Sequence, residues 1–384
     1  GLGVTGAQAM YSAIISLTLA FIVFTFGSLL VAIQVASGQY SPRVIATTLL
    51  RDDVIRYSVG LFVFTFLFAI KAANRTDSSV RQLVAVITGL LGFASIVGFL
   101  FLIDYAARML RPVSLVRRVG EIGLSVIKSV YPTPVNGAES SLAEEQLPAA
   151  AGRPMANRDA SGVLLAVHVD NLAAAAERLN GVIELVPQVG DFVGRDEPLF
   201  LLHGGAADLD EDVLLENVVF GSERTMEQDP LFAFRILVDI AIKALSKAIN
   251  DPTTAVLAID QLQRLLRTVG RQNLRADYVF NRAGSLRLIL RTPNWEDFVH
   301  LAFTEIRFYG AENIQIARRL RAMIHNLADT LPEERSAALR RELELLDRTA
   351  EKLYVFPEDL ALARIPDTQG FGAGGRIEMP ALRP

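Results

Sequence analysis

Three stretches of this chain, residues 10–36, 57–70 and 83–103, contain no Asp, Glu, Lys, Arg or His. An α-helix needs roughly 20 apolar residues to cross the hydrocarbon core of a bilayer. The first and third stretches reach that length, and the second does so once its flanking polar side chains snorkel to the interface. The sequence therefore predicts an α-helical membrane protein with three transmembrane helices, over about 10–36, 54–73 and 83–105, followed by a large α+β part. Composition agrees, since 51% of the 384 residues are hydrophobic and only 21% are charged.

The arginines set the expected orientation. Arg108, Arg111, Arg117, Arg118 and Lys128 follow the third span, and by parity they lie on the side of the loop that holds Arg43, Arg51 and Arg56. The opposite loop has only Lys71, Arg75 and Arg81. The positive-inside rule then places the long C-terminal part in the cytoplasm.

Within the first span, small residues recur at four-residue spacing: Ser12, Ser16 and Ala20, then Ser28, Ala32 and Ala36, with Thr25 and Gln34 nearby. Such a stripe lets helices approach closely, or lines a narrow wet path whose mouth Arg43 would mark. Ala85/Gly89 and Ala94/Gly98 repeat the theme in the third span. With no ionisable group inside the spans, a proton relay or charge-coupled transporter has nothing to work with, which leaves passive conduction, sensing or anchoring.

Several classes of chemistry are excluded by composition. No cysteine means no disulfide, thiolate nucleophile, iron–sulfur cluster or cysteine-containing zinc site. The four histidines form no HExxH pattern, and His325 with Asp329 at helical spacing reads as a solvated face. A net charge of −4 gives no basic field for nucleic acid. P-loop, nucleophile-elbow and kinase signatures are lacking, so neither an enzyme nor a cofactor or metal is expected.

Beyond the spans, residues 107–131 read as an amphipathic exit helix with arginines at headgroup level, and 132–158 as a flexible linker. Residues 159–206 read as a small β-rich unit. Its "VGDFVGRDEPLF" resembles the turn of biotinyl- and lipoyl-type barrel-sandwich modules, but no lysine occurs between Lys128 and Lys243, so only the shape is expected to be shared. Residues 207–365 read as a helical domain with one hairpin at 274–291, starting with a helix from Asp210 to about Gly221. The glycine-rich 366–384 reads as a disordered tail.

The segment 231–260, "LFAFRILVDIAIKALSKAINDPTTAVLAID", carries Arg235, Asp239, Lys243 and Lys247 in a narrow stripe on an otherwise apolar helix. That surplus predicts burial against both its own domain and a second copy of the chain. Asp251 followed by Pro252 is an N-cap with proline at the first helical position, opening a helix that Gly270 ends. Two readings of this turn are open. Asn250, Asp251 and Thr253, with Arg224 or Asp229 brought near by folding, can bind a cation or phosphate; or Asn250 and Asp251 simply end one helix and begin the next.

"ASGQYSPR" (Ala36–Arg43), "RTMEQDPLFAFRILVDIAIKALSKAINDPTTA" (Arg224–Ala255) and "FTEIRFYG" (Phe303–Gly310) resemble a bacterial predicted-membrane-protein family known as domain of unknown function 2254. The resemblance covers nearly the whole chain. It implies a further N-terminal hydrophobic segment, giving four spans. Where this chain has Lys247 the family often has proline, which implies that the helix runs unbroken here. The combined expectation is a homo-oligomeric, channel- or pore-like protein embedded in the lipid bilayer. The alternative is a membrane-anchored scaffold or sensor whose cytoplasmic domain binds a protein partner or small ligand.

Overall fold

The computed structural model describes residues 3–39, 53–76, 80–109, 111–135, 147–148, 151–158, 161–274 and 277–373. The chain divides into two compact units, Gly1–Leu115 and Val116–Pro384.

The first unit is built on three helices long and apolar enough to cross a membrane: α1 (Val4–Gln39), α2 (Asp53–Ala73) and α3 (Gln82–Met109). They pack on one another through aromatic and small residues. Phe21 stacks on Phe99 with centroids 4.0 Å apart, and Phe62 fills the space beside them. Gly92 gives Ile14 its place, since a Cβ there would stand 2.9 Å from that side chain. Ser95 donates to Thr65 at 3.1 Å, satisfying a buried hydroxyl across the helix pair where lipid offers no partner. The outer faces expose Leu30, Phe64, Leu67, Leu83 and Phe93, as lipid contact requires.

The second unit opens within α4 (Pro112–Val130), whose apolar face carries Val119, Gly123 and Ile127 inward. Strands β1 (Arg153–Ala156) and β2 (Gly162–Val167), helix α5 (Val169–Arg178) and strands β3 (Gly181–Leu185), β4 (Phe192–Val193) and β5 (Pro198–Gly204) follow. After them come a short helix α6 (Glu211–Leu215), strand β6 (Val218–Gly221), and helices α7 (Pro230–Ala244) and α8 (Pro252–Val269). The hairpin β7 (Tyr278–Phe280) and β8 (Leu286–Ile289) precedes α9 (Trp295–Gly310), α10 (Ile314–Thr330), α11 (Ser336–Leu353) and α12 (Pro357–Ala363).

Two sheets form, a five-stranded one in the order β1-β5-β3-β8-β7 and a three-stranded one in the order β4-β2-β6. Neither closes, so the expected barrel-sandwich shape is replaced by two open sheets among the described residues. β8 pairs in parallel with β3, joining Ile183 to Leu288. The hairpin therefore belongs to the sheet, and the β-rich region is continuous with the helical part. β1 lies within the stretch expected to be linker, where "RPMA" alternates too briefly to announce a strand. The single helix expected over 210–221 is only α6, because Val218 to Gly221 find a ladder partner in β2.

α7 occupies the centre of the helical layer. Phe232, Phe234, Ile236, Leu237, Val238 and Ile240 are all buried by the chain's own elements. Gly123 of α4 lets that helix come close, since a Cβ there would stand 2.9 Å from the Ala233 methyl. On the charged stripe, Arg235 donates from Nε to Asp239 at 2.8 Å and from Nη2 to Glu305 of α9 at 3.1 Å. The inference that this helix needs a second copy to cover it is thus corrected: α4, α8 and α9 supply the cover. Nor does the helix run on through Lys247. It ends at Ala244, and the chain doubles back so that Asp251 donates its N–H to the Ala244 carbonyl at 2.8 Å.

The glycine-rich tail is pinned at its start rather than disordered there. Asp367 is fully buried and accepts from the amides of Gln369, Gly370 and Gly372 at 3.1, 3.0 and 2.5 Å. Arg318 of α10 donates to the carbonyls of Ile365 and Gly372 at 3.0 and 2.6 Å. Residues 374–384 lie outside the described residues.

Candidate functional site

A cavity of about 510 Å³ lies in the second unit at the N-terminus of α7. Its size falls within the range typical of small-molecule pockets. Six segments meet around it: Tyr131 just after α4, Val167 at the end of β2 with Val169 at the start of α5, Leu185 at the end of β3 with Val189 beyond it, Gln228 and Asp229 before α7, Val279 of β7, and Leu290 with Thr292 after β8. The wall is mostly apolar.

The local sequence explains how the polar groups reach it. Asp229 precedes Pro230, so it caps α7, and Oδ1 accepts the Phe232 amide at 3.1 Å. Gln228 ties that corner to the sheet by accepting the Val167 amide at 2.9 Å. Thr292 is held by its amide donating to Asp277 at 2.9 Å. Tyr131 sits one turn beyond Ile127 on the buried face of α4 and packs edge-on against Phe298 at 6.4 Å between centroids.

Two of these groups are incompletely satisfied. Asp229 is 4% exposed and its Oδ2 has no hydrogen-bond partner; Tyr131 is 1% exposed and its hydroxyl has none. Burial pushes the Asp229 carboxyl up to about 6, against the opposing pull of the Arg224 charge and the α7 amides. Burial also pushes the Tyr131 phenol upward, helped by the charges of Asp277, Asp229 and Asp297. At neutral pH an apolar chamber therefore lies beside a neutral phenol and a desolvated carboxylate. Among the described residues, no cluster of three or more His, Asp or Glu is placed to hold a metal ion.

The sequence-derived ligand set is divided by the fold. Arg224 and Asp229 do meet, around Gly190: a Cβ there would be 2.5 Å from Asp229 Oδ2 and 3.5 Å from Arg224 Cζ. Asn250, Asp251 and Thr253 lie at the other end of α7, roughly 20 Å away along the helix. There Asp251 caps α8, accepting from the Thr254 amide at 3.1 Å and its hydroxyl at 2.5 Å, while Asn250 takes a left-handed φ of 49°. Of the pore-lining candidates, Ser12, Ser16, Ser28 and Gln34 are exposed on α1. Thr25 is buried and donates to the Phe21 carbonyl at 2.7 Å, and Arg43 lies outside the described residues.

Sequence reasoning missed Tyr131, Gln228 and Thr292. The spacing of Gly123, Ile127 and Tyr131 marks a continuing buried face, which was a signal for the burial of the tyrosine but not for its lack of a partner.

Residues 2–326, which contain all three candidate spans and the whole cavity wall, match the family described as predicted membrane protein (DUF2254). The chain belongs to that family. The DUF2254 chain is also 28% identical to uncharacterized proteins of Mycobacterium tuberculosis and Mycobacterium bovis over 380 residues, covering 94% of this chain and 70% of each relative. No solved structure matches it significantly. The family assignment makes the DUF2254 chain a membrane protein, and the resemblance read from Arg224–Ala255 agrees with it.

Proposed function

We propose that this protein is a membrane-anchored sensor of a bacterial plasma membrane, with the unit after the spans on the cytoplasmic side and a small ligand held in the cavity at the head of α7. The observation that carries this reading is the cavity of about 510 Å³, whose mostly apolar wall includes a few polar residues, among them Tyr131, Gln228, Asp229 and Thr292. A chamber of that size, apolar with a few polar groups on its wall, is the usual form of a small-molecule site. In chain order α4 begins at Pro112, shortly after the third candidate span (Gln82–Arg108), and Tyr131 follows its other end, so the same helix connects span and cavity wall in the sequence.

The test is a thermal-shift screen of the detergent-purified full chain beside a Leu290→Trp variant that fills the cavity. A saturating ligand raises stability by about 2.7 kcal/mol at a hundredfold excess over its dissociation constant. Compounds that stabilise the wild type and not the filled variant support the reading; identical responses from both proteins would overturn it.

A channel-like homo-oligomer is the second reading, favoured by Ser12, Ser16, Ser28 and Gln34 lying on the exposed side of α1. At least three chains would have to turn that side toward a common axis, with Arg43 near the mouth. Ion flux in liposomes that is lost on Ser16→Trp or Ser28→Trp supports it, and intact oligomers without flux count against it.

A further inference from the structure

We infer that a small pocket at one end of the helix bundle in the first unit binds a phosphate group at the membrane surface, that of an anionic phospholipid, through Lys71, Arg75 and Arg81. The inference is independent of the cavity at the head of α7.

The pocket, of about 130 Å³, opens where the start of α1, the end of α2 and the start of α3 converge. That volume is several times what one water needs and well below the roughly 300 Å³ at which pockets for drug-sized molecules begin. Tyr11, Phe68 and Val84 give it an apolar side, one from each helix, and Lys71, Arg75 and Arg81 line it as well. Its frame is fastened. Tyr11 is fully buried, Gln8 of α1 donates to the Thr76 carbonyl at 3.0 Å, and the buried Thr76 hydroxyl donates to the Ala72 carbonyl at 2.8 Å.

The charge around this pocket has one sign. Its wall holds three cations and no acid, and among the described residues none of the three cations forms an ion pair. Asp53 and Asp104 stand toward the other ends of α2 and α3, and Asp77 lies outside the described residues. The C-terminus of α2 and the N-terminus of α3 carry opposite dipole charges here, so the side chains set the sign. The positive-inside rule does not account for these cations either, since it gathers Lys and Arg at the other end of the bundle.

Depth selects the ligand. Lys71 directly follows the uncharged run 57–70, and Arg81 stands two residues before the run 83–103. Both therefore mark the edge of the hydrocarbon layer, where lipid phosphates lie. Arginine N–H groups match phosphate oxygens in forked pairs, and a third cation from lysine adds charge without fixing geometry. Phe68 and Val84 continue the pocket toward the apolar slab, so a lipid covers surface that a free anion leaves bare.

The test is native mass spectrometry of the detergent-purified full chain titrated with phosphatidylglycerol, whose headgroup is anionic, or phosphatidylcholine, whose choline offsets the same phosphate. Phosphatidylglycerol should bind about 10-fold more tightly, and each of Lys71→Gln, Arg75→Gln and Arg81→Gln should weaken it about 5-fold. These side chains are exposed, so the variants keep the fold. Arg56→Gln removes an equal charge near the other end of α2, where Arg56 pairs with Asp53 at 2.8 Å, and should leave the preference unchanged. In a separate arm inorganic phosphate is titrated calorimetrically into the lipid-free chain, where weaker binding that is lost in Arg75→Gln supports the site. Phosphate binding of that kind without a preference for phosphatidylglycerol would overturn the lipid as its source. Equal binding of the two lipids with no phosphate binding, or equal losses in Arg56→Gln and Arg75→Gln, would overturn the pocket as an anion site.

Discussion

The Asp229 carboxylate occupies the space in which a side chain at residue 190 would stand: a Cβ on Gly190 would lie 2.5 Å from Asp229 Oδ2. Gly190 also holds a φ of +98°, which side chains resist. Gly190→Ala therefore meets both backbone strain and a collision with a buried acid, and should lower stability by about 2–4 kcal/mol. Gly284 provides the contrast. Its φ is +77° but nothing lies within 4 Å of its added Cβ, so Gly284→Ala should cost only about 1 kcal/mol. Denaturant unfolding of the detergent-solubilised variants separates the two effects, and equal losses would mean that the contact with Asp229 contributes nothing.

Asp229 also makes stability depend on pH. Its carboxyl is pushed up to about 6 in the folded chain from an ordinary value of 3.8, so between those values the native state holds more protons than the unfolded state. Its contribution to stability is then fully present below about pH 4 and declines as pH rises, levelling off above about 6. The change is on the order of 3 kcal/mol. Relative to the wild type, Asp229→Asn should gain stability as pH rises through this window. Parallel melting curves from pH 4 to 7 would contradict the buried-carboxylate account.

At the opposite end of α7, Asp251 accepts from the Thr254 amide at 3.1 Å as the N-cap of α8. Asp251→Ala should cost about 1 kcal/mol and Asp251→Asn almost nothing, because asparagine caps equally well. Binding of any cavity ligand should be unchanged in both. A loss of ligand affinity in Asp251→Asn would restore the anion- or cation-binding reading of this turn.

Asp367 anchors the start of the C-terminal tail through three backbone amides, those of Gln369, Gly370 and Gly372. Replacing it with alanine leaves three donors without their acceptor, a local loss of about 2–4 kcal/mol. Limited proteolysis should then cut between 366 and 373 in Asp367→Ala far faster than in the wild type. Equal cutting rates would show that the Arg318 contacts alone hold the segment.

Much of this architecture is legible locally. The spans follow from hydropathy, because each helix satisfies its own backbone and needs only length and apolarity to enter lipid. The bounds of α8 follow from Asp251, Pro252 and Gly270, because capping is a matter of adjacent residues. β1 and β6 were hidden because each is a short run whose partner lies distant in sequence, β5 for one and β2 for the other. Likewise the apolar excess of α7 was visible, but not what covers it.

Sequence alone fixed the membrane-crossing part, the α+β character of the rest and the positions of the helix caps. These depend on the transfer free energy and hydrogen bonding of neighbouring residues. The tertiary structure decided that α7 is covered by its own chain, that Arg224 and Asp229 meet beneath Gly190 while Asn250 and Asp251 lie a helix length away, and that Tyr131 joins the cavity wall. Desolvation is the reason. Whether a carboxylate or a phenol is left without water or partner depends on which distant segments close around it, and no local pattern carries that information.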